Sequence, residues 1–223
     1  MTQENAAGKS SRINGVAVAF AIVGLLIVGL LVGRYYFGPG ADAARTQAPD
    51  GQVTTTSPLI GGPFTLVDQN GTTVTDADFR GQFMLVYFGY TFCPDVCPTA
   101  LNRNADAMDE LGEKAEKVVP ILVTVDPARD TVEHMKEYAK FFHPRLVALT
   151  GSEEQVKAAA KAYRVYYARV DEEGGDPDNY LMDHTAITFM MGPDGQFVQH
   201  FSHDATPEDM AERMRKVMAE AGV

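Results

Sequence analysis

Two unbroken apolar runs constrain this 223-residue chain more than any other feature. They are FMLVYFGY, Phe83 to Tyr90, and VVPILVTV, Val118 to Val125. Neither run alternates apolar with polar residues, so each reads as a strand buried on both faces. Between them, Thr99 to Leu111 sets Ala, Leu and Met at helical spacing and ends before Gly112. Strand, helix, strand in that order predicts a parallel pair joined by a right-handed crossover.

The flanking segments extend this unit. PFTLVDQNGTTV predicts a hairpin turning at Gln69-Asn70-Gly71. Thr131 to Phe142 and Ser152 to Ala162 read as helices, with Ser152 as N-cap and Gln155 at the capping-box position. Arg164 to Val170 reads as a short strand. A strand HTAITFMM, begun by His184, and FVQHF flank Pro193-Asp194-Gly195 and predict a second hairpin. Thr206 caps a last helix, with Pro207 at its first position and Asp209 near its start. The predicted order is β-hairpin, β, α, β, α, α, β, β-hairpin, α, with no internal repeat. It describes an α/β fold, a mixed sheet flanked by helices, in the layout of a thioredoxin-like domain.

The N-terminus is of another kind. Ile13 to Gly33 runs without a charge, and about 20 apolar residues span a bilayer as a helix. Lys9 and Arg12 precede the run, which places residues 1–12 in the cytoplasm. Tyr35, Tyr36 and Phe37 follow as interfacial anchors. Residues 13–36 therefore read as a transmembrane anchor. A cleaved signal peptide ending near Ala41 to Ala43 is the alternative, but its apolar region would run roughly 7–15 residues. Either reading exports the remainder. Residues 37–58, rich in Gly, Pro, Ala, Thr and Asp, read as a flexible linker, and 59–223 as the folded domain.

The formal net charge is -11, and the acidity belongs to the exported part. Phosphate contacts need a basic face, so the chain is not expected to bind nucleic acid.

The chain has two cysteines, Cys93 and Cys97, each followed by a proline. They fall just after the first buried strand, where sites form in open α/β sheets. Pro94 and Pro98 disfavour a helical conformation for the cysteines before them, so a loop is expected, with Pro98 opening the helix. Cys97 would then sit at the helix N-terminus, where free N–H groups favour a thiolate. A disulfide closing so short a loop removes little chain entropy and makes a poor staple. The spacing therefore points to chemistry, either thiol exchange or metal binding. The usual redox motif has two intervening residues and this one has three.

A metal site needs a further donor. Two thiolates and an imidazole form a soft set suited to copper(I) or zinc, though a closed structural zinc site wants four ligands. The histidines are His134, His143, His184, His200 and His203. His134 and His143 read as surface residues, and His200 with His203 as a weak HxxH pair. His184 stands about where thioredoxin-like enzymes place a cis-proline beside their thiols. Spacing alone leaves the third ligand open.

Taken together, YFGYTFCPDVCPTAL, VTVDPARDT and DHTAITFMMGPDG resemble the Sco/SenC family of copper-binding assembly factors. The resemblance covers residue 59 to the C-terminus and the anchor. It implies a thioredoxin-like fold and a role in assembling the dinuclear CuA centre of cytochrome c oxidase. It also implies Cys93, Cys97 and His184 as copper ligands. Asp126, Arg129 and Asp130 match the second motif, and neither they nor Asp95 has a role readable from sequence.

The expected function follows from that resemblance. The chain would be a copper chaperone more than an enzyme, in the inner membrane of a bacterium with its domain in the periplasm. Its copper would be Cu(I), with Cu(II) as a second possibility. Its partners would be an upstream copper donor, the CuA-bearing subunit and a thioredoxin-like reductant that reopens a Cys93–Cys97 disulfide. The alternatives are a thiol–disulfide reductase for the oxidase subunit, which needs no His184, and a redox or copper sensor.

Overall fold

The computed structural model describes residues 26–27, 60–171 and 179–223. The expected anchor, 13–36, and linker, 37–58, lie outside the described residues apart from Leu26 and Ile27, which are helical and exposed. Among the described residues no helix is long and apolar enough to cross a membrane. The fold described below lies within the unit Thr56–Val223.

The strands are β1 Thr65–Asp68, β2 Thr73–Thr75, β3 Phe83–Gly89, β4 Val118–Thr124, β5 Val147–Thr150, β6 Tyr167–Asp171, β7 Tyr180–His184, β8 Thr188–Met191 and β9 Phe197–Phe201. The helices are α1 Val96–Leu111, α2 Val132–Ala139, α3 Glu153–Ala162 and α4 Pro207–Glu220. Seven strands form one mixed sheet in the order β2-β1-β5-β4-β3-β8-β9, and β6 with β7 forms a separate two-stranded ribbon.

The two apolar runs are the sheet's central parallel pair, β3 and β4, and every residue of both is buried. Alternate residues of β3 serve opposite faces, as strand geometry requires. Phe83 and Leu85 join Met108, Leu111, Met210 and Met214 in the core beneath α1 and α4. Met84, Val86 and Phe88 join Val156, Ala160 and Tyr163 on the other side. Pro120 sits within β4, and pairing with β5 begins only at Ile121, where a lost ladder donor no longer matters.

The first hairpin turns where expected. Asp68 accepts from the N–H groups of Asn70 and Thr72, and Gly71 takes a positive φ of 81°. The second hairpin and the Ser152 and Thr206 caps also form as expected, and Gln155 completes a capping box with Ser152.

Three expectations need correction. The first concerns β5, which stands between two helices the sequence reads as adjacent. Its four residues are too few for a pattern to show, and they pair in parallel with β4. The second concerns α1, which starts at Val96 with Asp95 as N-cap, so Cys97 and Pro98 are its second and third residues. Its first backbone bond runs from Thr99 N to Asp95 O, so Pro98 occupies a position whose N–H has no acceptor within the helix. The third concerns His184, which ends β7 and does not begin β8. Part of the segment read as a loop before it is β7 itself, and residues 172–178 lie outside the described residues.

The carboxylate of Asp130, 0% exposed, ties the ends of β3 and β4 together. It accepts from Thr91 N at 3.1 Å, Thr91 Oγ1 at 2.6 Å and Thr124 Oγ1 at 2.5 Å. Its backbone carbonyl accepts from Thr150 Oγ1 at 2.7 Å, which adds β5 to the knot. Asp130→Ala removes the carboxylate from the Thr91 and Thr124 donors while leaving the carbonyl that Thr150 uses, and is expected to cost ~3 kcal/mol in urea unfolding. A loss below ~1 kcal/mol would show that the knot is not structural.

Candidate metal centre

Gly89 ends β3 beneath α1. A Cβ there would lie 2.9 Å from Cys97 Sγ and 2.8 Å from Tyr87 Cε1, so only glycine lets the first turn of α1 settle this close. Cys97 is fully buried and Cys93 is 8% exposed. Both are free thiols.

The two sulfurs have different surroundings. Cys97 N–H, one of the unpaired donors of the first turn of α1, donates to Cys93 Sγ at 3.4 Å. Cys93 Sγ thus occupies the place of an N-cap acceptor. The Cys97 thiol, aided by His184 and the N–H groups of Asp95 and Cys97, brings the Cys93 thiol down to about 4 against the opposition of burial. Cys97 moves the other way, raised by the neighbouring Cys93 sulfur and by burial. The expectation that the free N–H groups of the helix serve Cys97 is corrected by the geometry, in which the Cys97 N–H points at Cys93 Sγ. The helix N–H groups act on the sulfur they point at, which is that of Cys93.

His184 reaches the thiols from the ribbon, with Nε2 at 3.3 Å from Cys97 Sγ. Its Nδ1 lies 3.3 Å from the Thr185 carbonyl. A carbonyl can only accept, so the tautomer that makes this bond carries Nδ1–H and a lone pair on Nε2, the arrangement of a metal-ligating imidazole, whereas the form that lowers Cys93 carries Nε2–H. The rings of Tyr87 and Tyr90 stand edge-on to the imidazole at 6.0 and 5.9 Å. One donor atom from each of Cys93, Cys97 and His184 lies within 4.8 Å of the others, and no other such cluster occurs among the described residues.

The remaining histidines stay apart. His134 Nδ1 lies 2.7 Å from the Arg129 carbonyl, and His143 accepts from Arg145 N. His200 stacks on Phe197, and His203 accepts from Arg103 through its carbonyl.

The site opens into a pocket of about 400 Å³, lined by Tyr90, Cys93, Pro94, Asp95, Val96, Val170, Leu181, Met182, Asp183 and His184. Asp95 is the helix N-cap, though its side chain makes no capping bond. Asp126 and Arg129, unassigned from sequence, belong to the wall that joins the ribbon to the rest. Arg129 Nε pairs with Asp126 Oδ2 at 2.6 Å, and Tyr180 at the start of β7 donates its hydroxyl to Asp126 Oδ1 at 2.8 Å. Their spacing marks a strand-end motif, but the partner Tyr180 lies 54 residues beyond Asp126 and leaves no local signal.

A buried-strand terminus bearing two thiols and a facing imidazole defines a thioredoxin-like domain with a soft three-donor site. The chain belongs to the SCO1/SenC family, whose sequence model matches residues 52–219. The protein SenC of Rhodobacter capsulatus is 39% identical over 208 residues, covering 93% of this chain and 90% of SenC. The solved structure of Bradyrhizobium japonicum ScoI with copper bound has a TM-score of 0.65 at 44% identity, covering 70% of this chain and 98% of that one. BsSco, described as a disulfide-switch member of the Sco family of cytochrome c oxidase assembly proteins, has a TM-score of 0.56 at 25% identity. It covers 74% of this chain and 95% of its own.

The inequality of the thiols predicts selective alkylation. In mildly acid buffer, iodoacetamide should label Cys93 well ahead of Cys97, with labelling declining as pH falls through about 4. Peptide mass spectrometry reads the ratio, and equal labelling would refute the assignment. Gly89→Ala should cost ~1–3 kcal/mol in thermal or urea unfolding, because the added methyl group meets both a sulfur and a ring.

Proposed function

We propose that this chain is a copper chaperone that takes up Cu(I) through Cys93, Cys97 and His184 and passes it to the CuA-bearing subunit of cytochrome c oxidase. The observation that carries this reading is the convergence of two sulfurs and an imidazole nitrogen beside an open pocket that Cys93 and His184 line. Thiolate and imidazole suit Cu(I), and the copper-bound structure of B. japonicum ScoI supports that cargo. The oxidase comes from the family resemblance and from the description of BsSco.

Three donors leave one side of the metal open toward the pocket. An incoming thiolate from the recipient enters there, and copper passes by ligand exchange with no change of oxidation state. An upstream donor loads the site by the reverse exchange. Oxidation of Cys93 and Cys97 to a disulfide removes both thiolates, and a thioredoxin-like reductant restores them. In this reading residues 1–12 are cytoplasmic, and 13–36 anchor the chain in a bacterial inner membrane. Residues 37–58 tether the domain 59–223 in the periplasm, at high effective concentration near a membrane-held recipient.

A second reading is favoured by one observation. An acidic Cys93 beside a Cys97 that holds its proton is also the pairing of a nucleophilic and a resolving thiol. A thiol–disulfide reductase would use both cysteines and not His184.

Titration of the full chain in detergent, reduced and without oxygen, with Cu(I) against a competing chelator separates the two. One tightly held copper is expected, weakened in Cys93→Ala, Cys97→Ala and His184→Ala. Weak binding by the unaltered chain, or binding indifferent to His184, would transfer the assignment to the reductase.

A further inference from the structure

The ribbon that supplies His184 shares no strand pairing with the seven-stranded sheet. Something else must set where its imidazole stands. His184 is the last residue of β7 and Tyr180 is the first, roughly 13 Å away along the strand at about 3.3 Å per residue. Fixing Tyr180 therefore fixes the line along which His184 approaches the thiols.

Tyr180 is held at three points. Its hydroxyl donates to Asp126 Oδ1 at 2.8 Å. Its carbonyl accepts from Arg129 Nη1 at 3.0 Å. Its ring lies 3.5 Å from the Arg129 guanidinium carbon, measured to the ring centroid. Arg129 Nε is meanwhile paired with Asp126 Oδ2, and Asp126 is 3% exposed. The same guanidinium lies over the ring of Phe92, 4.6 Å from its centroid, and Phe92 immediately precedes Cys93. One planar cation therefore touches both the loop carrying Cys93 and the strand carrying His184.

We propose that Arg129 is a positioning residue for the metal site. It sets the separation between the thiol pair and the imidazole, and so determines whether the metal is held by three donors or only by the two sulfurs. The role uses what distinguishes arginine from lysine. A planar fork can pair with a carboxylate, donate to a carbonyl and stack on aromatic rings at once, whereas an ammonium keeps only the charge. The proposal rests on the reading of Cys93, Cys97 and His184 as the ligand set.

The test uses the full chain in detergent, carrying Arg129→Lys or Tyr180→Phe, each in the unaltered and the His184→Ala background. Cu(I) affinity is measured by chelator competition, copper-edge X-ray absorption counts nitrogen and sulfur neighbours, and the thiol–disulfide potential is measured alongside. Arg129→Lys should weaken Cu(I) binding about 10-fold and remove the nitrogen neighbour, with the potential unchanged. It should cause no further weakening when His184 is already alanine, because a residue that acts through His184 has nothing left to act on. Unchanged affinity in Arg129→Lys, or the same loss on top of His184→Ala, overturns the proposal. Should Arg129→Lys fail to fold, Tyr180→Phe decides by the same comparison of backgrounds. Cu(I) affinity untouched by His184→Ala alone would instead sink the ligand set, and this proposal with it.

Discussion

The first turn of α1 carries N–H groups that no helical carbonyl can reach, and the sulfur of Cys93 takes one of them. Much of the site depends on that bond. It holds the CxxxC segment as a turn entering a helix, and it adds to the hydrogen bond from the Cys97 thiol, which is the main influence that lowers Cys93. It also brings Cys97 in beneath, where the buried end of β3 leaves room only because residue 89 is glycine. Two identical side chains four positions apart thus become chemically unequal, Cys93 lowered chiefly by the Cys97 thiol and Cys97 raised chiefly by the Cys93 sulfur and by burial.

The remaining donor comes from an element of a different kind. A two-stranded ribbon is marginal by itself. Here it is pinned to the body by a polar cluster of Asp126, Arg129 and Tyr180, and not by extension of the sheet. The neighbouring Asp130 performs a separate task, joining β3, β4 and β5 through buried hydroxyl and amide donors. The short segment after β4 therefore serves both layers. One of its carboxylates locks the sheet ends that present the cysteines, and the other anchors the arm that presents the histidine.

This division separates the two chemistries open to the site. Thiol exchange needs the Cys93–Cys97 pair, which the sheet end and α1 supply without the ribbon. Metal holding needs the ribbon as well, because two sulfurs are completed by an imidazole that arrives from elsewhere in the chain. The pocket beside the three donors gives a recipient ligand room to approach either a metal or a thiol.

The central strands were legible in the sequence because a strand buried on both faces needs an uninterrupted apolar run, and Phe83 to Tyr90 and Val118 to Val125 are such runs. The hairpin turns and the caps at Ser152 and Thr206 were legible for a similarly local reason: φ preference and capping bonds act within a few residues. The thiol pair was visible from its spacing, and His184 was singled out through the family resemblance. Only the tertiary structure decided which sulfur the helix N–H points at, that β5 enters the sheet, and that His184 closes a ribbon strand in place of opening a sheet strand. It also decided that Arg129 and Tyr180 meet. Each of these depends on a partner far along the chain, or on the direction in which an N–H group points, and neither leaves a periodic trace in the order of residues.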